Sequence, residues 1–211
     1  HFGKAAGVIA AWLIAFMPAH VTHSTWGLAD HDSFVMLFIA IGFMFYLRAV
    51  KYAGSERLVR TTSIRPLDML RAMGAVAQER QYAMANAVLA GVAFGAASLG
   101  WKGFVVGPAI LFLAYAAQVA LNMFRRRDST ILSTLFLTML LTNLLIALPF
   151  YAHPQMNLML DGSGLQPFLF ILLFTVVMMY ITTGFRDKPW LLVLGTLAVG
   201  AVAVLGALWV L

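Results

Sequence analysis

The chain contains no cysteine. Disulfides, thiolate metal sites and cysteine nucleophiles are thereby excluded, and nothing further about compartment follows. Charge is also scarce: acidic and basic residues make up 10% of the 211 positions against 62% apolar ones, and runs of twenty or more residues carry no charge. Water cannot cover so much apolar surface, so the expected class is an integral membrane protein and a soluble domain is excluded. No acidic, basic or histidine side chain falls near the middle of any apolar run; the polar groups there are Asn86, Gln118, Asn122, Thr138, Asn143, Thr175 and similar residues. Ion pumps and proton-coupled carriers need ionisable groups at mid-membrane, which makes chemistry at a membrane surface the better expectation. Internal repeats and low-complexity tracts are missing too. The chain starts at His1 and enters apolar sequence within five residues, without the short apolar core and small-residue cleavage site of a signal peptide. It therefore reads as a fragment of a larger polypeptide.

What is present is a succession of apolar segments. Seven can be drawn, at residues 5–18, 33–50, 82–100, 104–124, 130–151, 165–185 and 189–211. Most match the ~20 residues that a helix rising about 1.5 Å per residue needs to cross ~30 Å of hydrocarbon. The expected fold class is all-α, a polytopic membrane protein of about seven transmembrane helices. The formal charge of +6 would suggest nucleic acid until the basic residues are placed. If the chain alternates sides, Lys4, the basic loop 51–81 with the adjoining Arg48, "RRRD" at Arg125 and "FRDK" at Arg186 share one face, which then holds thirteen of the fourteen Lys and Arg residues. The positive-inside rule makes that face cytoplasmic, with Lys102 alone opposite. The partner is thus a lipid bilayer and not nucleic acid. Within the basic loop, "IRPLDMLRAMGAVAQER" has Pro66 where a first helical turn tolerates it and Leu67, Leu70, Met73 and Ala77 at helical spacing. A short interfacial helix is expected there, beside anionic lipid headgroups.

The opposite face holds an acidic loop at 18–32, the turn "GWKG" and a loop at 151–165, and it collects Asp30, Asp32, Asp161, His20, His23, His31 and His153. Asp30 and Asp32 stand at i and i+2. Such residues point about 200° apart on a helix but to one side of an extended chain, so the pair can converge on one ion only where "ADHD" is not helical. Gly27 breaks the preceding run, and Asp32 with Ser33 forms an N-cap signal for a helix beginning near Phe34. Capping alone is the alternative, since a carboxylate at a helix N-terminus is favourable with no further role; it accounts for one aspartate and leaves the other unexplained. Oxygen donors with one imidazole suit Mg²⁺ or Mn²⁺ ahead of Zn²⁺, and a cation would relieve the repulsion of two close carboxylates. His20, His23 and His31, taken singly, read as interfacial polar residues rather than ligands.

"MPAHVTHSTWGLADHDSFVMLF", followed by a helix and "RAVKYAGS", resembles the third and fourth membrane helices and second acidic motif of the oligosaccharyltransferase catalytic subunit. That family reads approximately P-x-x-x-S-R-S-x-x-G-x-x-D-x-[DEH] at this place. "GVAFGAASLGWKGFVVGPAILFLAYAAQ" is similar to its paired helices around a W-x-G-[YF] turn, here Trp101, Gly103 and Phe104, and "RRRDSTILSTLFLTMLLTNLLIALPF" continues in the expected order. The resemblance implies the membrane region of a GT-C-type glycosyltransferase, of archaeal type. Such an enzyme transfers an oligosaccharide from a polyprenyl (dolichyl) phosphate or pyrophosphate to asparagine in Asn-x-Ser/Thr acceptors, on the extracytoplasmic side of the cell membrane. It further implies Asp30 and Asp32 as catalytic ligands of Mn²⁺ or Mg²⁺, with His31 as an additional site residue. The family usually carries arginine seven residues before the first aspartate. Here that position is His23, whose charge at the donor phosphate would depend on pH.

The family's first acidic motif would lie before His1 and its WWDYG acceptor motif after Leu211, so the 211 residues alone are expected to be inactive. Two other functions compete: another polyprenyl-phosphate-sugar-dependent glycosyltransferase, and a divalent-cation transporter with its outer vestibule at Asp30 and Asp32. A purely structural membrane module is a third possibility.

Overall fold

The computed structural model describes residues 7–9, 13, 32–54, 65–125, 127–151 and 165–184. Among these the regular structure is helical throughout: α1 (Asp32–Ala53), α2 (Pro66–Glu79), α3 (Gln81–Gly100), a 3₁₀ turn (Lys102–Val105), α4 (Val106–Phe124), α5 (Thr130–Tyr151) and α6 (Leu165–Gly184). Five helices are long and apolar enough to cross a bilayer, at Phe34–Ala53, Gln81–Gly100, Gly103–Phe124, Thr130–Tyr151 and Leu165–Gly184. They coincide with the five central segments read from the sequence. Of the first expected segment, residues 7–9 and 13 are described, all helical; the last, 189–211, lies outside the described residues.

The helix ends follow from local chemistry. Gly54 takes φ +68° directly after α1, the left-handed conformation that closes a helix and that glycine adopts without strain. Pro66 opens α2 at its first position, where its missing N–H costs nothing. Asp128 accepts hydrogen bonds from the Thr130 amide (2.8 Å) and hydroxyl (2.7 Å), satisfying one of the unpaired donors at the start of α5. Where the sequence suggested a helix from Phe104, the chain first makes the 3₁₀ turn and enters α4 at Val106.

α3 is the hub, packed against α1 on one side and α5 on the other. Its buried surface is built from Ala83, Ala87, Ala90, Gly91, Ala93, Gly95 and Ala97, small residues that let backbones approach closely where lipid supplies no hydrophobic drive for association. A Cβ on Gly91 would stand 2.5 Å from the Met139 carbonyl oxygen, and one on Gly95 would stand 2.7 Å from Ile146. The large exception on this face is Phe94, whose ring is seated between Gly42 of α1 and Gly107 of α4 and meets Phe43 edge-on at 5.7 Å. α6 lies against α4 and α5, burying Leu165, Phe168, Thr175 and Met179.

In α2 the buried stripe is Met69, Ala72 and Val76, directed at α5 and α3, the helices it packs on. Leu67 and Leu70, half of the stripe legible in the sequence, point away and are exposed, while Met73 and Ala77 lie on the flank, half-buried. Antiparallel packing gathers Arg48, Lys51, Arg65, Arg71, Arg80, Arg125 and Arg127 at one end of the bundle. Among the described residues the other end carries only Asp32 and Lys102 as formally charged positions.

Candidate functional site

Of the residues singled out by the sequence, His23, Asp30 and His31 lie outside the described residues, and Asp32 is described as the first residue of α1. The helix thus opens two residues earlier than Phe34, within the ordinary spread of helix boundaries, and keeps Asp32 in its positive first turn. Among the described residues no group of three or more His, Cys, Asp or Glu side chains is placed to hold a metal ion. Asp32 is the one expected ligand that the described residues include.

The packing brings the acidic helix start and the tryptophan turn together, although about seventy residues separate them in sequence. Gly100, the last residue of α3, abuts the first turn of α1: a Cβ there would stand 3.1 Å from both Phe34 and Val35. Val35 is buried, and Phe34 meets Phe38 one turn below at 4.6 Å with the rings tilted by 52°. Immediately after Gly100 the chain turns through Trp101. Gly103 lies against the Trp101 indole so closely that any Cβ would overlap the ring, so glycine is required by close approach. The Phe104 amide closes the turn on the Trp101 carbonyl at 3.2 Å.

Three aromatic residues fix this turn from beneath. Phe104 is fully buried, 5.5 Å from Tyr151 at the end of α5 and 5.8 Å from Phe168 near the start of α6. The single proton of the Tyr151 hydroxyl is directed between the carbonyls of Ser98 (3.3 Å) and Trp101 (3.5 Å), and Ser98 is in the last turn of α3, where carbonyls lack partners within their own helix. The ends of α3 and α5 and the starts of α4 and α6 therefore converge around the turn, and the first turn of α1, which Asp32 opens, packs on Gly100 beside it. No sequence motif marks Tyr151 or Phe168 as part of this arrangement. A tyrosine closing an apolar run just before a polar loop was the available signal, since a buried tyrosine normally finds a partner for its hydroxyl.

The polar residues inside the spans are mostly consumed locally. Asn86 donates to the Tyr82 carbonyl, Thr142 to that of Thr138 and Thr175 to that of Ile171. At the basic end Gln118, Asn122 and Ser129 form a hydrogen-bonded seam between α4 and the start of α5, and Tyr115 meets Ser133 at 2.9 Å. Asn143 is different: it is fully buried in the middle of α5, and neither its Nδ2 nor its Oδ1 has a hydrogen-bond partner among the described residues. Back-bonded threonines and amides do not make an ion path.

A protein-family model described as oligosaccharyl transferase STT3, N-terminal, matches residues 1–208. No curated protein matches the chain, and no solved structure does.

Proposed function

This chain belongs to the oligosaccharyl transferase STT3 family, a family of membrane glycosyltransferases of protein N-glycosylation, and from that premise we propose a specific role for its acidic helix start. The chain forms the membrane region of an enzyme that moves a preassembled oligosaccharide from a polyprenyl (dolichyl) phosphate or pyrophosphate to the side-chain amide of asparagine in Asn-x-Ser/Thr. The bond from the anomeric carbon to phosphate oxygen breaks, the bond to the amide nitrogen forms, the amide loses a proton and the lipid-linked phosphate departs. The end of the bundle bearing Asp32 and the Trp101 turn faces outside the cytoplasm, and the basic end faces the cytoplasm. The packing of the first turn of α1, which Asp32 opens, against Gly100 at the entry to the Trp101 turn, inside a family match covering nearly the whole chain, is the observation that carries this reading.

Asp30 and Asp32 are the residues that would hold Mn²⁺ or Mg²⁺, with His31 beside them. A carboxylate pair without thiolates has the hard-donor chemistry such ions take. A divalent ion would stabilise the negative charge developing on the departing phosphate. The protein's own part is positional: Gly100, Phe34 and the aromatic support under Trp101 fix the height of Asp32 at the membrane surface, where donor and acceptor must be held in reacting geometry because an amide nitrogen is a poor nucleophile. His23 stands where the family usually has arginine and contacts the donor phosphate as imidazolium. A lack of charged residues in mid-span and the local satisfaction of the threonines favour this reading over a cation transporter.

The test is glycopeptide formation from lipid-linked donor and an Asn-x-Thr peptide by the intact parent polypeptide. Chelation should abolish transfer and Mn²⁺ should restore it. Undiminished transfer in excess chelator would refute the metal role, and transfer to hydroxyl or lipid acceptors with none to asparagine would refute the acceptor.

A further inference from the structure

The described residues hold one helix that neither spans the bilayer nor lies in the core. α2 has 14 residues, about 21 Å at 1.5 Å per residue, too short for ~30 Å of hydrocarbon. Its Met69, Ala72 and Val76 face is used up against α3 and α5. On the opposite side Leu67 is 68% exposed and Leu70 is 62% exposed, flanked by the 80% exposed side chain of Arg71 and by Gly74. Arg71 approaches Asp68 at 3.6 Å, an exposed i,i+3 pair of the kind that contributes little and leaves the guanidinium available to a stronger acceptor.

The height of α2 relative to the membrane follows from its neighbours. Arg80 alone separates it from α3, whose membrane span begins at Gln81. Tyr82 is 81% exposed and Tyr52, in the last turn of α1, is also exposed; tyrosines at this level mark the headgroup region. Arg48, Lys51, Arg125 and Arg127 are exposed at the same end. Two leucines uncovered at the level of an aromatic belt and surrounded by bases are complementary to one surface, an anionic leaflet.

We propose that α2 is an in-plane helix whose N-terminal half binds anionic phospholipid, with Leu67 and Leu70 entering the acyl boundary and Arg71 engaging a lipid phosphate. The contact pins the α1–α3 connection from the lipid side while Met69, Ala72 and Val76 pin it from the protein side. This property is independent of glycan transfer and would hold if the proposed function failed.

Position 74 is a clean reporter, because it lies on the outward face, a Cβ there meets nothing within 4 Å, and the chain has no other cysteine. The 211-residue chain carrying Gly74→Cys is labelled with an environment-sensitive fluorophore and reconstituted in vesicles of phosphatidylcholine alone or mixed with phosphatidylglycerol, with acrylamide as a neutral aqueous quencher. In the anionic vesicles the emission should shift to the blue and quenching should fall, one basic residue near an anionic leaflet favouring the membrane-bound position about fivefold. Arg71→Gln should remove that difference and Arg71→Lys should retain it. Equal quenching in the two lipids would overturn the proposal. So would full protection in lipid-free detergent, which would show that a protein segment covers this face, or an Arg71→Gln variant that keeps the lipid preference.

Discussion

Replacing Gly91 by alanine adds one methyl group at the tightest point of the α3–α5 contact. The new Cβ would lie 2.5 Å from the Met139 carbonyl oxygen and 2.6 Å from Thr142 Cβ. The first neighbour is backbone and cannot rotate away, so the helices must part by about 0.5 Å to bring that contact even to 3.0 Å. Overpacking of this kind costs about 1–3 kcal/mol, offset by roughly 1 kcal/mol of improved helix propensity; a net loss of up to about 2 kcal/mol is expected. Gly74→Ala supplies the control, since the same methyl group there meets open space and retains the propensity gain of roughly 1 kcal/mol. Equilibrium unfolding of both variants by sodium dodecyl sulfate in mixed micelles, followed by tryptophan fluorescence, measures the two changes against the parent chain. Gly91→Ala should unfold at lower detergent fraction and Gly74→Ala at the same or a higher one. A Gly91→Ala variant at least as stable as the parent would refute the close approach of α3 and α5.

Three further outcomes follow from single side chains. Asn143→Leu removes a buried carboxamide that has no partner among the described residues and should stabilise the bundle by about 1–3 kcal/mol in the same titration; a loss of stability would mean that Asn143 is paired. Asp128→Ala removes the acceptor for the Thr130 amide and should cost about 1 kcal/mol, with hydrogen exchange accelerating in the first turn of α5 and not at its far end. If His23 serves the donor phosphate as imidazolium, transfer should decline as pH rises and the ring loses its charge, and His23→Arg should flatten that decline; superimposable pH profiles would remove His23 from the donor site.

The spans were legible because bilayer crossing demands a run of fixed length, and charge or Gly/Pro punctuation ended each run within a few residues of the observed helix. The segment 130–151 coincides with α5 because "RRRD" stops the apolar run on one side and Asp128 caps the helix. At Phe104 the sequence suggests α-helix because hydropathy does not distinguish a 3₁₀ turn from the α-helix it feeds. α2 was legible as a helix from Pro66 and its leucines, but not in its orientation: Leu67 and Met69 are equally apolar, and lipid is as apolar as a protein core, so composition does not reveal which stripe packs. At the candidate site the acidic motif and the tryptophan turn were visible one by one. The packing of the first turn of α1 on Gly100, and the Phe104–Tyr151–Phe168 support beneath the tryptophan turn, depend on contacts between residues far apart in the chain, which periodicity does not encode. The resemblance to the oligosaccharyltransferase family, carried by those same motifs, agrees with the family match over residues 1–208.

We propose that "ADHD" is the working end of this membrane bundle. Glycopeptide formation by the intact parent polypeptide with Mn²⁺, compared with Asp30→Asn and Asp32→Asn variants of equal expression and unchanged unfolding, tests it most directly. Glycopeptide should be lost in both variants. Full activity in both would contradict it and leave Asp32 as nothing more than the favourable first residue of α1.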